Sequence, residues 1–227
     1  MNFDAFLHSL TSSFTPVIDS SFNPEDYIHV DLSPSNALLN QVNLSSAEDI
    51  ELFLENFLRQ NQKKVAYGGY LEKRSIYDRS EHFSSGSSVQ RRNIHLGMDV
   101  WCAANTSVLL PLDGKIHSVR NNKNFGDYGP TIIVEHQENE QTFYTLYGHL
   151  SLESLDRLNV GVKVVKGEKL GELGDATVNG NYAPHLHFQL IKDMHNHAGD
   201  YPGVCTKAEL KFYSSNCPDP NTLLKIY

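Results

Sequence analysis

Apolar residues recur at helical spacing in the first 64 residues of the chain. A short helix near the N-terminus is predicted by Phe3, Phe6, Leu7 and Leu10. A second helix begins at a predicted capping box, formed by Ser45 and by Glu48 three residues later. Its apolar face consists of Ala47, Ile50, Phe53, Leu54, Phe57 and Leu58. We therefore expect residues 1–64 to form a helical extension, which either completes the fold by packing or covers a groove as a pro-segment.

The rest of the pattern is typical of short strands. The segment Tyr27–Leu32 predicts a strand within the extension, and from about residue 90 onward strand patterns follow one another between Gly and Asn turns. These later strands are predicted at 108–110, 114–119, 131–135, 142–149, 160–165, 169–173 and 185–191. Even spacing without long helices between them predicts a mainly β fold with a compact antiparallel core, either a sandwich or a barrel-like sheet, and a groove. We assign residues 65–227 to this domain, with a flexible loop at Ser84–Ser88 ahead of a motif core at about 90–191.

Composition and charge narrow the classes of function. The chain has 227 residues, 40% of them hydrophobic, and a net charge of -8, which argues against a broad surface for nucleic acid. No apolar run approaches the roughly 20 residues that span a bilayer. The N-terminus lacks a basic region followed by an uninterrupted apolar stretch, so we expect a cytoplasmic protein unless a leader has been trimmed. Of three cysteines, Cys205 and Cys217 could pair in an exported protein, whereas reduced, partly buried thiols are expected otherwise.

Two segments carry residues at metal-ligand spacing. On a straight strand His95 and Asp99 would share a face about 13 Å apart, so the chain must bend between them to bind one ion, and Gly97 permits that bend. In His185-Leu186-His187 the alternation of a strand places both imidazoles on one face about 7 Å apart. That spacing suits one ligand and one neighbour that reaches the reacting water.

A third segment supplies a candidate for proton transfer. Tyr147 and His149 are expected to share a face of a strand, and the missing side chain of Gly148 between them suits close packing of the backbone. His149 is therefore a candidate for moving a proton or for stabilising an oxyanion. His195 and His197 repeat the His-x-His spacing without apolar alternation, so a solvated loop is the favoured interpretation. The remaining histidines are expected to be solvated or structural: His8, His29, His82, His117 and His136.

Together these motifs indicate a hydrolytic zinc site. Two histidines and one aspartate leave a fourth tetrahedral position for water, as in catalytic and not structural zinc sites. Zinc in such a site lowers the pKa of its water and polarises a carbonyl group.

The same residues resemble the lysostaphin/LytM-type zinc metallopeptidases, a family best known for cleaving peptide cross-links in bacterial peptidoglycan. The resemblance rests on His95-Leu-Gly-Met-Asp99, on His149 in Tyr-Gly-His-Leu and on His185-Leu-His187-Phe, and it covers about residues 90–191. It implies one Zn²⁺ per chain, ligated by His95, Asp99 and His187. It also implies that His149 and His185 act on water and the oxyanion, and that the substrate is a peptide or peptidoglycan.

Some features depart from that family. Its typical members are exported, often basic and joined to wall-binding modules, whereas this chain is acidic and shows no signal sequence. The flanks at 126–131, 203–205 and 217–221 are similar to a peptidase-like module found between a kinase-like domain and an aminotransferase in fusion proteins. Two alternatives therefore stand beside a peptidoglycan endopeptidase: a cytoplasmic zinc hydrolase of small amides or peptides, and a non-catalytic regulatory or binding module. The sequence leaves the oligomeric state open.

Overall fold

The computed structural model describes residues 2–79, 91–156 and 158–227, so the loop predicted at 84–88 lies outside the described residues. The helices are α1 (Phe3–Ser9), α2 (Ala47–Asn61), α3 (Leu210–Asn216) and α4 (Asn221–Leu224). The strands are β1 (Tyr27–His29), β2 (Val65–Gly68), β3 (Ile94–His95), β4 (Met98–Trp101), β5 (Ser107–Leu109), β6 (Gly114–Asn122), β7 (Gly129–Glu138), β8 (Gln141–Gly148), β9 (Lys163–Val164), β10 (Lys169–Glu172), β11 (His185–Ile191) and β12 (Val204–Cys205). Of the helices described, none is both long and apolar enough to cross a membrane.

One large sheet dominates the fold and confirms the prediction of a mainly β protein. Its eight strands lie in the order β1-β2-β4-β11-β8-β7-β6-β9, and two small sheets pair β10 with β5 and β12 with β3. The neighbouring strands of the large sheet are antiparallel except β1 and β2, which are parallel. The sheet is therefore mixed, because its parallel pair joins β1 of the N-terminal extension to β2, while the strands from β4 onward are antiparallel as the sequence predicted.

Strand alternation separates the main core from the opposite face of the sheet. Leu186 and Phe188 belong to the main apolar cluster, together with Phe6 and Leu7 of α1 and with Leu223 and Leu224 of α4. The ring of Phe6 meets that of Phe143 edge-on, with centroids 5.8 Å apart.

On the other face of the large sheet, Ile50 and Leu54 of α2 pack with Trp101 and Ala183. The side chains of β11 that alternate with the core positions, His185 and His187, lie on this second face.

The N-terminal residues join the sheet directly. Tyr27 of β1 pairs with Val65 of β2, and Gly68 of β2 pairs with Asp99 of β4. The extension thus lies one strand away from a predicted metal ligand. The strand predicted over Tyr27–Leu32 ends earlier, at His29, and beyond it Leu32 N–H donates to the side chain of Glu72 at 3.0 Å.

Two other local predictions need correction. The N-cap of α2 is Ser46 and not Ser45, since the Ser46 hydroxyl accepts a hydrogen bond from Asp49 N–H at 3.1 Å. The helix therefore begins one residue later than the predicted capping box. The strand predicted at 160–165 is reduced to β9, a two-residue edge strand, and Val160 and Val165 are exposed. These two valines flank the edge strand of the sheet and are not buried against another part of the described fold.

Candidate metal centre

Gly97 bends the chain between His95 and Asp99, as the spacing predicted. His95 ends β3, which pairs with β12, whereas Asp99 lies in β4, which pairs with β11 and β2. A Cβ atom at Gly97 would lie 2.7 Å from Cε1 and Nε2 of His187. Gly97 therefore has two roles: it allows the chain to turn from one sheet into another, and it leaves room for the imidazole of His187.

Three side chains meet at this bend. His187 in β11 is the direct register partner of Asp99 in β4. His95 Nε2 lies 2.8 Å from His187 Nδ1, and Asp99 Oδ1 lies 3.2 Å from each of these nitrogens. All three side chains are buried, and one ligand atom from each falls within 4.8 Å of the others. The structure thus brings together the three residues that the sequence predicted as metal ligands.

The hydrogen bonds of the two imidazoles direct their lone pairs toward each other. His95 Nδ1–H donates to the carbonyl of Gly69 at 2.9 Å, and His187 Nε2–H donates to Gln189 Oε1 at 2.8 Å. Gln189 is oriented by its own amide, which donates to the carbonyl of Pro202 at 3.1 Å. Burial lowers the pKa of His95 to about 4, so this ring is neutral at pH 7. Two lone pairs and a carboxylate oxygen converging in a buried site need a cation between them, and nitrogen and oxygen donors of this kind suit zinc.

A positive φ angle brings His149 into the same site. β8 ends at Gly148, and His149 has φ 64°, in the left-handed region that non-glycine residues seldom adopt. Tyr147 lies in the main core, with its ring 5.4 Å from that of Phe188, whereas the ring of His149 lies 4.2 Å from that of His185. The prediction that Tyr147 and His149 share a face is therefore wrong. It assumed an extended backbone at His149, and the left-handed turn directs the imidazole to the other side.

His149 and His185 form a pair of neutral imidazoles beside the three-residue cluster. Each donates Nδ1–H to a backbone carbonyl at 2.7 Å, His149 to Asn179 and His185 to Ala183. Burial lowers the pKa of His185, and it lowers that of His149 well below its usual value. His185 Nε2 lies 3.8 Å from Asp99 Oδ1. Both Nε2 atoms therefore carry lone pairs and are able to accept a proton.

Comparison with protein families agrees with this arrangement. Residues 93–199, just under half of the chain, match the model of peptidase family M23. The resemblance inferred from the three motifs is confirmed at the level of the family, and all five site residues fall within the M23 segment. A comparison with curated proteins found no match for this chain.

Several solved structures are similar to this chain. The catalytic domain of lysostaphin from Staphylococcus simulans is 22% identical, with a TM-score of 0.40, and the match covers 68% of this chain and 94% of that one. A zinc-containing peptidase from Vibrio cholerae is 27% identical over 48% of this chain and 30% of its own, with a TM-score of 0.35. A protein from Pseudomonas aeruginosa described as an M23 peptidase is 22% identical, covering 63% of this chain, with a TM-score of 0.40. The present chain spans only 47% of that protein's length.

Arg74, which the sequence did not suggest, contacts the centre from outside the M23 segment. Its Nη1–H donates to Asp99 Oδ2 at 2.5 Å, and its Nε–H donates to Glu72 at 2.6 Å. Burial alone would raise the pKa of Asp99, but the neighbouring His95 and Arg74 outweigh it and hold that pKa well below its usual value. No motif or periodicity marks Arg74, because its approach to Asp99 depends on the path of a loop.

Tyr128 is a second site residue that the sequence did not suggest. A Cβ atom at Gly148 would lie 2.7 Å from Cδ1 of Tyr128, so this glycine makes room for an aromatic ring and not for the backbone that the sequence predicted. The Tyr128 hydroxyl donates to the carbonyl of Tyr201 at 3.1 Å and lies 3.5 Å from His187 Nε2. The five site residues open onto a cavity of about 200 Å³. Its aromatic lining comprises Tyr77, Trp101, Tyr128, Tyr182 and Tyr201.

The other histidines lie apart from the metal centre. His195 and His197 are exposed, as a solvated loop requires, although His197 reaches the outer part of the cavity. His136 is fully buried, with its ring nitrogens 2.7 Å from the Asp113 carbonyl and 2.7 Å from the Thr145 hydroxyl. It is a satisfied structural histidine. His82 lies outside the described residues.

Proposed function

We propose that this chain is a zinc metallopeptidase that hydrolyses peptide bonds, with one zinc ion held by His95, Asp99 and His187. The observation that carries the proposal is the convergence of His95 Nε2, His187 Nδ1 and Asp99 Oδ1, all within 3.2 Å of one another. The hydrogen bonds from the far side of each imidazole fix the tautomers that metal binding requires. The match of residues 93–199 to the M23 family model supports the reaction class.

The chain's own residues provide the proton transfers. Zinc, when bound, supplies Lewis acidity toward a carbonyl oxygen and toward water. His149 and His185 present neutral Nε2 atoms to the same cavity, so either is able to accept the proton of the attacking water as its oxygen bonds to the peptide carbon. The imidazolium then returns that proton to the leaving amine nitrogen as the C–N bond breaks. The other imidazole orients the reacting groups, and the two roles remain open between these residues.

We propose peptide cross-links of peptidoglycan as the first substrate class, because residues 93–199 match the M23 family model. A second candidate is a short free peptide or small amide in the cytoplasm. Two observations favour it: the chain carries a net charge of -8, and the five site side chains are each at most 5% exposed. Such deep placement suits a small substrate better than a cross-linked polymer. A non-catalytic binding module is the third alternative, and the complete set of five site residues argues against it.

Metal content and hydrolysis together test the proposal. The purified protein, His187→Ala and His195→Ala are analysed for metals and then incubated with zinc and with two substrates, cross-linked wall fragments and a set of short peptides. We expect about one zinc per chain and release of new amino termini in the wild type and in His195→Ala. The control variant removes an exposed histidine from the other His-x-His sequence. His187→Ala should lose both properties.

The outcomes separate the candidates. Cleavage of short peptides with intact wall fragments supports the small-substrate version, and the reverse supports an endopeptidase of the wall. Zinc binding without cleavage of either substrate supports the binding module. A folded wild-type protein that takes up no zinc refutes the proposal.

A further inference from the structure

The two oxygens of Asp99 have different surroundings. Oδ1 faces nitrogens of three histidines, at 3.2 Å from His95, 3.2 Å from His187 and 3.8 Å from His185. Oδ2 accepts a hydrogen bond from Arg74 Nη1 at 2.5 Å. A guanidinium hydrogen bond to a carboxylate is charge-assisted and therefore strong. One oxygen of Asp99 is committed to Arg74, and only the other is free for a metal.

Arg74 is itself held in one position. Its side chain is only 4% exposed, and its guanidinium lies 5.4 Å from the ring centre of Trp101. Its backbone N–H donates to the carbonyl of Asn93 at 2.9 Å. A Cβ atom at Gly69 would lie 2.0 Å from Arg74 Nη2, so a glycine at position 69 is needed to make room for the guanidinium. These contacts distinguish Arg74 from a mobile surface partner.

Glu72 extends this network to the N-terminal extension. Glu72 Oε2 accepts from Arg74 Nε at 2.6 Å, and Oε1 accepts from the backbone N–H of Leu32 at 3.0 Å. A continuous chain of hydrogen bonds thus runs from Leu32 through Glu72 and Arg74 to Asp99. Leu32, Glu72 and Arg74 all precede residue 93, where the M23 match begins. This support of the centre therefore comes from a part of the chain that the family model does not include.

We propose that Arg74, held by Glu72, is a positioning residue that restricts Asp99 to a single metal-ligating oxygen. The inference rests on the proposed function, because it takes His95, Asp99 and His187 as the zinc ligands. A carboxylate that binds through both oxygens would occupy an additional coordination position. Restriction to Oδ1 keeps that position open for water and substrate, which a catalytic zinc site requires.

The test compares Arg74→Lys with Arg59→Lys. Lysine keeps the net positive charge, but it lacks the guanidinium fork that bonds Glu72 and Asp99 at the same time. Arg59 is exposed on α2 and provides the same substitution away from the site. Zinc affinity is measured by competition with a chromogenic chelator, and zinc coordination by X-ray absorption spectroscopy.

We expect zinc affinity to fall about 10- to 100-fold in Arg74→Lys, the usual effect of removing a partner that orients a metal ligand. The absorption spectrum should gain oxygen scattering at about 2.0 to 2.2 Å as Asp99 becomes bidentate. This spectral change would not arise from a loss of stability alone. Arg59→Lys should match the wild type in both measurements.

Glu72→Gln provides a second variant that keeps Arg74 beside Asp99 but loosens its support. The amide has a single oxygen, so it can accept from Arg74 Nε or from Leu32 N–H but not from both. It should weaken zinc binding in the same direction by a smaller factor, and it decides the matter if Arg74→Lys does not fold. Folded variants whose zinc affinity and spectrum equal those of the wild type overturn the role of Arg74 while the proposed function stands. A wild-type protein that binds no zinc overturns both, and zinc binding without hydrolysis affects only the proposed function.

Discussion

The substitution Gly97→Ala adds one methyl group at the bend between two predicted zinc ligands. The φ angle of Gly97 lies outside the left-handed region, so alanine is allowed there by the backbone and its effect is steric. The new Cβ atom would lie 2.7 Å from Cε1 and Nε2 of His187 and 2.8 Å from the carbonyl oxygen of Phe188. Relief requires a movement of the His187 ring, of β11 or of the chain at residue 97, and each of these changes the distance between two predicted ligands.

The size of that movement follows from the contact distances. Ordinary contacts of a Cβ atom begin at 3.4 Å, so a separation of 2.7 Å requires a shift of about 0.7 Å. Misplacement of a reacting group by about 1 Å can lower a rate about 100-fold. Overpacking of a well-packed interior costs about 1 to 3 kcal/mol of folding free energy. We therefore expect a folded protein with a lower Tm, weaker zinc binding and a loss of hydrolysis approaching 100-fold.

Gly167→Ala separates the loss of stability from the effect on the site. Gly167 has φ 80° in a turn, and a Cβ atom there would meet nothing within 4 Å. Alanine at this position costs about 1 to 2 kcal/mol through the strained backbone alone. Chemical denaturation measures stability, chelator competition measures zinc affinity, and an amine-release assay measures hydrolysis. Gly167→Ala should lose stability while its zinc affinity and rate stay at wild-type values.

One result would refute the steric reasoning. If Gly97→Ala folds, and its zinc affinity and hydrolysis match those of Gly167→Ala, the imidazole of His187 does not depend on the space at Gly97. A loss of zinc affinity in both variants would instead assign the effect to general destabilisation.

Three further predictions concern stability and reactivity. Burial lowers the pKa of His136 from 6.5 to about 4, so the unfolded chain binds a proton more tightly than the folded one. The contribution of this group to the free energy of unfolding is therefore complete above pH 6.5 and falls by about 3 kcal/mol as the pH approaches 4. Unfolding curves from pH 7 to 4 should show this slope, and His136→Gln should lose most of it. Burial raises the pKa of Cys205 to about 11 and that of Cys217 to about 12. Iodoacetamide should therefore label these two thiols in the native protein far more slowly than Cys102, which is partly exposed. Equal labelling rates for the three thiols in the native protein would contradict the burial of Cys205 and Cys217. Deletion of residues 1–32 removes β1 and the Leu32 contact to Glu72, so it should lower both Tm and zinc affinity; faster hydrolysis by the truncated protein would instead favour the pro-segment interpretation.

Local patterns in the sequence predicted much of the site. The two-residue period of a strand placed His185 and His187 on one face, and the separation of His95 from Asp99 required the bend at Gly97. Both features depend on a few consecutive residues. The ring of His149 lies beside that of His185, but the face of the sheet on which it lies was predicted from an extended backbone, and the structure has a left-handed residue there.

Features that depend on distant contacts could not be predicted in this way. Arg74 approaches Asp99 because the connection after β2 turns back at Gly69 and places the guanidinium against this glycine, and nothing in the spacing of the sequence encodes that path. The parallel pairing of β1 with β2 also joins segments separated by the whole of α2. Secondary structure follows from neighbouring residues, whereas such pairings follow from the packing of the complete chain.

The central position of β11 has a consequence for the synthesis of this protein. β11 lies between β4 and β8, and it is the last strand of the large sheet to leave the ribosome. Until it arrives, β4 and β8 each present an unpaired edge, and such edges are prone to associate with other chains. The same strand carries His187, so the nascent chain acquires its complete ligand set only when this gap in the sheet closes. Metal loading is therefore an event of the finished domain, and protection from aggregation during translation depends on the arrival of β11.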